Sequence, residues 1–204
     1  MGFYHRHVLP RLIESACRQP PLMALRRRFV PEASGRVLEI GIGSGHNLPL
    51  YRNVDSVIGL EPHPGLIDRA RARAGGLGSR VEFVEASAES IPAGAASFDS
   101  IVCTWTLCSI ADPSRALAEM LRVLKPAGRL VFIEHGLSPD ERVMAWQRRL
   151  NPLWKRIGGG CHLDRDVPRL LVAAGFDLPT LEAGYVPGPR FAAYMYRGVA
   201  WKTR

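Results

Sequence analysis

Two periodicities alternate along the chain. Short apolar runs, each able to span a buried strand, occur over residues 36–40, 56–60, 81–84, 97–103 and 129–134. Between them lie stretches with helical spacing near 48–51, 65–74 and 113–124. Strand-helix alternation of this kind predicts a parallel sheet covered by helices on both faces. Before it, residues 3–30 read as helix, break, helix: Val8, Leu9, Leu12, Ile13 and Ala16 recur on one helical face, Pro20-Pro21 interrupts, and Leu22 to Val30 resumes. After it, residues 140–150 and 167–174 have helical patterns, and two strand-like runs, 181–186 and 191–201, flank Pro187-Gly188-Pro189. Strands joined by so short a turn pair antiparallel. The expected architecture is therefore an α/β, doubly wound, Rossmann-like, mostly parallel sheet that ends in an antiparallel hairpin. It forms a single domain over 1–204, with a helical cap at 1–30 and the core at 31–204.

Composition narrows the function without selecting one. An apolar share of 47% is that of an ordinary globular chain. No apolar run approaches the roughly 18 residues of a membrane span, and no cleavable secretory pattern follows the early basic residues. A formal charge of +8 raises the question of acidic partners, but the basic residues at 26–28, 69–73, 148–149 and 155–156 are mixed with acids and apolar residues. They predict a solvated basic surface and no nucleic-acid partner, while leaving peripheral membrane contact open. Cys17, Cys103, Cys108 and Cys161 form no C-x-x-C pair. A reducing, cytoplasmic setting is expected, and oligomeric state is left open.

The chemistry is concentrated at strand ends. Val37-Leu38-Glu39-Ile40 runs into Gly41-Ile42-Gly43-Ser44-Gly45, a turn whose glycines permit positive φ or close approach of a ligand. A dinucleotide fingerprint would require glycine at position 46, where His46 stands, and a G-x-S-x-G elbow around Ser44 would require glycine at 42 and 46. Glu61-Pro62 closes the second strand, 20 residues after Gly41. A carboxylate there can accept from both vicinal hydroxyls of a ribose. Glu39, an acid within an apolar strand, requires partners.

Together, the glycine loop, Glu61, the segment 85–92 and Arg122-Val123-Leu124-Lys125-Pro126-Ala127-Gly128 resemble the class I S-adenosylmethionine-dependent methyltransferases. The resemblance implies S-adenosyl-L-methionine as cofactor, held by Glu39, Ile40, Gly41, Gly43, Gly45, Asn47, Glu61, Pro62, Ser87, Ala88 and Thr104. Glu39 would organise the methionine end. Ser87 stands where relatives carry an aspartate for the adenine amino group, and Ala88 would offer its backbone N–H. Trp105, with Thr106 and Trp154, would line the acceptor pocket, its ring facing the sulfonium.

Three further stretches resemble the small bacterial relatives of the animal methyltransferase-like alkyl thiol methyltransferases: Thr106-Leu107-Cys108-Ser109, Glu134-His135-Gly136, and residues 151–163 with Gly158-Gly159-Gly160-Cys161-His162. The implied reaction is S-methylation of a small lipophilic thiol. Alternatives are O-, N- or C-methylation of a quinone, phospholipid or natural product, or a cofactor-binding module without transfer. A thiol needs little beyond loss of its proton, and His135 and His162 are the candidate bases. Cys161 beside His162 finds no further ligand at metal-binding spacing, so no metal is expected.

Overall fold

Successive side chains of a strand face opposite ways, and here both faces are apolar. Leu38, Ile40, Ile101, Cys103, Leu130 and Phe132 pack with Ala116, Leu117 and Met120 and with Val167 and Leu171. Their neighbours Val37, Val57, Val102, Val131 and Ile133 pack with Phe29, Leu48, Tyr51 and Ala70 on the other face. Such near-continuous apolar strands can exist only inside two helical layers.

The computed structural model describes residues 9–77 and 80–203. Its elements run α1 (Leu9–Cys17), α2 (Pro20–Phe29), β1 (Ser34–Ile40), β2 (Asn53–Leu60), α3 (Pro64–Arg73), β3 (Val81–Val84), β4 (Phe98–Thr104), α4 (Pro113–Val123), β5 (Leu124–His135), α5 (Glu141–Ile157), α6 (Val167–Ala174), β6 (Phe176–Asp177), β7 (Glu182–Tyr185) and β8 (Tyr194–Lys202). The sheet order is β3-β2-β1-β4-β5-β8-β6, with β7 also paired to β8. Strands β1 to β5 are parallel, and β8 is antiparallel to β5, β6 and β7. The mostly parallel α/β sheet with an antiparallel end is thus the observed one.

Helix starts follow local chemistry. Asp112, Asp140 and Asp166 each accept hydrogen bonds from backbone N–H groups in the first turn of α4, α5 and α6, caps that each stabilise by about 1 kcal/mol.

Several boundaries differ from expectation. The helix expected at 48–51 is a single 3-10 turn, Leu48–Leu50, because only residues 41–52 separate β1 from β2 and much of that span is the glycine turn. Helix α5 continues past residue 150 to Ile157 with Pro152 inside it. Strand β5 begins at Leu124, directly after α4. Strand β6, two residues long, had no pattern to announce it. Of the expected N-terminal cap, residues 3–8, including Val8, lie outside the described residues.

From β1 the chain moves outward to β2 and β3, then returns to place β4 on the other side of β1. This reversal opens a crevice over the carboxyl ends of β1 and β4, where ligands bind in open α/β sheets.

Candidate functional site

The crevice is walled by two loops in contact. Gly41 leaves β1 with φ +63°, and a Cβ built on it would sit 2.4 Å from Thr106 Cγ2. The Thr104-Trp105-Thr106 edge of β4 can approach the glycine loop only because residue 41 has no side chain. The Thr106 loop is held from beneath by Glu134, fully buried on β5: one carboxylate oxygen accepts from the backbone N–H of Thr106 at 2.9 Å and Leu107 at 3.0 Å, and from the Cys103 thiol at 3.4 Å. Trp105 takes φ +50° there, a conformation that costs a non-glycine residue of order 1–3 kcal/mol and persists only where surroundings enforce it.

On the β2 side, Glu61 is buried and accepts from the backbone N–H of Gly43 and of His63, both at 3.1 Å. The carboxylate and the glycine loop are thus one assembly. Burial pushes the Glu61 pKa up, and the two N–H donors oppose that shift.

Glu39, Asn47 and Thr104 face the cap. Asn47 donates to Glu39 at 2.9 Å and to Thr104 Oγ1 at 3.1 Å, and the Tyr51 hydroxyl donates to Glu39 at 2.8 Å. Burial raises the Glu39 pKa to about 7, against the pull of these two donors and the nearby charge of Arg26. The partners that Glu39 requires as an acid within an apolar strand are the side chains of Asn47 and Tyr51.

Into this network helix α2 inserts Arg26, which is buried. It donates to Asn47 Oδ1 at 3.3 Å and Thr104 Oγ1 at 3.0 Å, and its Nε has no partner among the described residues. Its guanidinium lies over the Trp105 ring, 4.4 Å from the centroid. The aromatic face expected to meet a sulfonium is therefore covered by a cation from the cap, while the indole N–H donates to Met195 Sδ at 3.4 Å.

A methyltransferase-domain family model matches residues 38–132, the span from β1 to β5. The demethylmenaquinone methyltransferase of Deinococcus radiodurans is 37% identical over 177 residues, covering 83% of this chain and 68% of its own. The chain belongs to the S-adenosylmethionine-dependent methyltransferases. The rat thiol S-methyltransferase TMT1B is 37% identical over 151 residues, covering 72% of this chain, which spans 62% of the relative's length. Among solved structures, the YcgJ protein of Bacillus subtilis shares the fold, with a TM-score of 0.69 at 19% identity over 97% of this chain and 99% of its own.

The family's cofactor fits this crevice on two observations. The loop is open around Gly43, where an added Cβ meets nothing nearer than 3.9 Å among the described residues. Two buried polar groups beside it also have unused capacity: the Arg26 Nε and the remaining acceptor lone pairs of Glu61. Ile40 ends β1 and Gly41, Gly43, Gly45 and Asn47 follow it, Glu61 and Pro62 follow β2, and Thr104 ends β4. Ser87 is placed less simply. It is exposed, its hydroxyl donates to Glu89 Oε2 at 2.9 Å and also receives the Glu89 backbone N–H at 3.2 Å. Ala88 beside it is buried.

The two candidate histidines part company. His135, buried at the end of β5, has Nε2 3.0 Å from Cys161 Sγ, and its Nδ1 has no partner among the described residues. Burial disfavours its protonation, but contact with Cys161 raises its pKa overall. His162 sits 4.0 Å from Asp164, and its pKa is lowered by burial. Trp154 donates from Nε1 to Cys161 Sγ at 3.3 Å and packs edge-on against Phe191. Sequence spacing gave Cys161 no companion ligands; the fold brings Cys108 and His135 to it.

Sequence reasoning missed Arg26, Tyr51, Glu134 and Arg165, the last donating to the carbonyls of Leu107 and Ile110. Glu134 was findable, since it is an acid in an apolar strand as Glu39 is. Arg26 was not, because nothing in a helical arginine run says which member turns inward.

Proposed function

We propose that this chain transfers the methyl group of S-adenosylmethionine to the sulfur of a small lipophilic thiol. The observation that carries transfer is the junction at Thr106, where the acceptor-side loop meets the first glycine of the cofactor loop. Glu61 holds the ribose hydroxyls, Glu39 faces the methionine ammonium, and Arg26, through its unpartnered Nε, receives the methionine carboxylate. When bound, the cofactor supplies an electrophilic methyl carbon. The chain's residues then orient and dehydrate the acceptor beside Thr106, with His135 as candidate base and Trp154 fixing Cys161 behind it. His162 and Ser87 are peripheral in this reading.

The choice of sulfur is supported by the likeness to a thiol S-methyltransferase and by the small chemical demand of a thiol. A quinone ring carbon is the second reading, favoured by the likeness to a demethylmenaquinone methyltransferase. Four free cysteines fit a reducing compartment. No described helix is long and apolar enough to cross a membrane. Helix α5 nevertheless exposes Trp146, Leu153 and Ile157 among Arg142, Arg148, Arg149, Lys155 and Arg156, a surface suited to contact with an anionic bilayer carrying the acceptor.

The test is turnover with labelled S-adenosylmethionine against alkyl thiols and a demethylated quinone. The expected result is a methyl thioether and no quinone product. Quinone methylation with inert thiols would replace the first reading by the second, and no transfer to either would refute both.

A further inference from the structure

We propose that Cys108, His135 and Cys161 form a site for a soft divalent metal of the zinc class, with a fourth position open toward the acceptor. The three residues come from separate elements: the loop after β4, the last residue of β5 and the loop after α5. Their ligand atoms nevertheless all lie within 4.8 Å of one another. With Zn–S about 2.3 Å and Zn–N about 2.0–2.1 Å, tetrahedral geometry sets neighbouring ligand atoms roughly 3.5–3.8 Å apart. With His135 and Cys161 at 3.0 Å and all three atoms within 4.8 Å, the observed limits bracket those distances, so small side-chain movements suffice.

The surroundings are built to hold it. The Cys108 carbonyl accepts from the His162 backbone N–H at 2.9 Å, tying the two cysteine loops together. Arg165 clamps the carbonyls on either side, at Leu107 and Ile110. The Trp154 N–H directed at Cys161 Sγ is an outer contact that offsets the charge of a metal-bound thiolate. His135 is more than nine-tenths buried, and its Nε2, already 3.0 Å from Cys161 Sγ, is the nitrogen placed to ligate. Two thiols and an imidazole select zinc-class ions over magnesium or calcium. Three protein ligands are the number found where zinc keeps a position for substrate.

That position lies next to the methyl-transfer junction, since Cys108 is two residues beyond Thr106. Metal binding releases the protons of Cys108 and Cys161. With the metal bound, His135 serves as a ligand and no longer as the base, so an acceptor thiol entering the fourth position releases its own proton to solvent and stays a nucleophilic metal-bound sulfur. Its lone pair forms the new S–CH3 bond as the sulfonium S–CH3 bond breaks, and the neutral thioether, a weak ligand, departs. This last step rests on the thiol reading above; metal binding does not.

The test uses the full chain, purified under reducing conditions and titrated with zinc and with Co(II). One equivalent should bind, with a sulfur-to-cobalt charge-transfer band and tetrahedral d–d bands. Zinc should protect Cys108 and Cys161 from alkylation mapped by mass spectrometry, a readout that needs no variant. Cys108→Ser and Cys161→Ser should lose the cobalt bands, and Cys17→Ser should keep them. Reduced wild type that gives no bands and no protection, bands that survive both substitutions, or a Cys108–Cys161 disulfide that persists in place of metal would each overturn the site. A metal-loaded protein that methylates no thiol would leave the site standing and refute the thiol reading. Undiminished thiol methylation by metal-free protein would do the reverse for the coordination step.

Discussion

Gly41→Ala and Gly43→Ala differ by one methyl group each in neighbouring turns of the same loop, and the structure assigns them different consequences. Both residues have positive φ, +63° and +55°, a conformation that costs an alanine about 1–2 kcal/mol. At Gly41 the new Cβ would also fall 2.4 Å from Thr106 Cγ2 and 2.5 Å from its Oγ1. Thr106 cannot withdraw freely, because its N–H is bonded to Glu134 and its hydroxyl to the Thr104 carbonyl. Overpacking of this kind adds about 1–3 kcal/mol, giving about 2–5 kcal/mol in all. At Gly43 nothing lies within 3.9 Å, so only the backbone cost applies. For a chain of this size each kcal/mol lowers Tm by about 2–4 °C. Thermal unfolding should therefore show a loss of roughly 4–20 °C for Gly41→Ala and roughly 2–8 °C for Gly43→Ala, the first always the larger. Calorimetry with S-adenosylhomocysteine should show the opposite emphasis for Gly43→Ala, a loss of affinity larger than its stability loss explains. Equal destabilisation by the two substitutions, or a Gly41→Ala protein as stable as wild type, would refute the contact that joins the two loops.

Three further outcomes follow from the same geometry. Because burial raises the Glu39 pKa to about 7, the folded state holds a proton that the unfolded chain gives up nearer 4.5. Stability from this group is present below about pH 4.5 and lost as pH rises to about 7; Glu39→Gln should flatten that decline in urea titrations across the window, and an unchanged profile would contradict the assignment. Arg26→Met should weaken S-adenosylhomocysteine binding by roughly tenfold or more, the worth of a charge-assisted hydrogen bond of about 1.5–3 kcal/mol; unaltered affinity in calorimetry would remove Arg26 from the carboxylate site. Replacing Trp146 and Leu153 together by Ser should reduce flotation with anionic vesicles by roughly tenfold or more, since each buried side chain contributes about 1.5–3 kcal/mol; undiminished flotation would rule out α5 as the contact.

What could be read without coordinates was whatever depends on short stretches of chain. The five parallel strands, the glycine turn and the acid at Glu61 were legible because strand burial, turn chemistry and a strand-end carboxylate are written in consecutive residues. The closing hairpin was legible because Pro187-Gly188-Pro189 leaves little room for another connection. Features that depend on long-range approach were not. Arg26 reaches Thr104 across 78 positions, and its cover over Trp105 reverses the simple picture of an open aromatic face. The gathering of Cys108, His135 and Cys161 depends on three loops meeting. The short turn at Leu48–Leu50 was misread as a helix because its apolar residues pack on the cap-side face without helical continuation.

Cofactor binding depends first on the Glu61 cradle. Isothermal calorimetry of the wild-type chain with S-adenosylhomocysteine should show saturable binding, and Glu61→Ala, folded by circular dichroism, should show none, because the ribose loses its paired acceptor while the Gly43 and His63 N–H groups turn to water. No heat with wild type, or the same affinity in the folded variant, would contradict it.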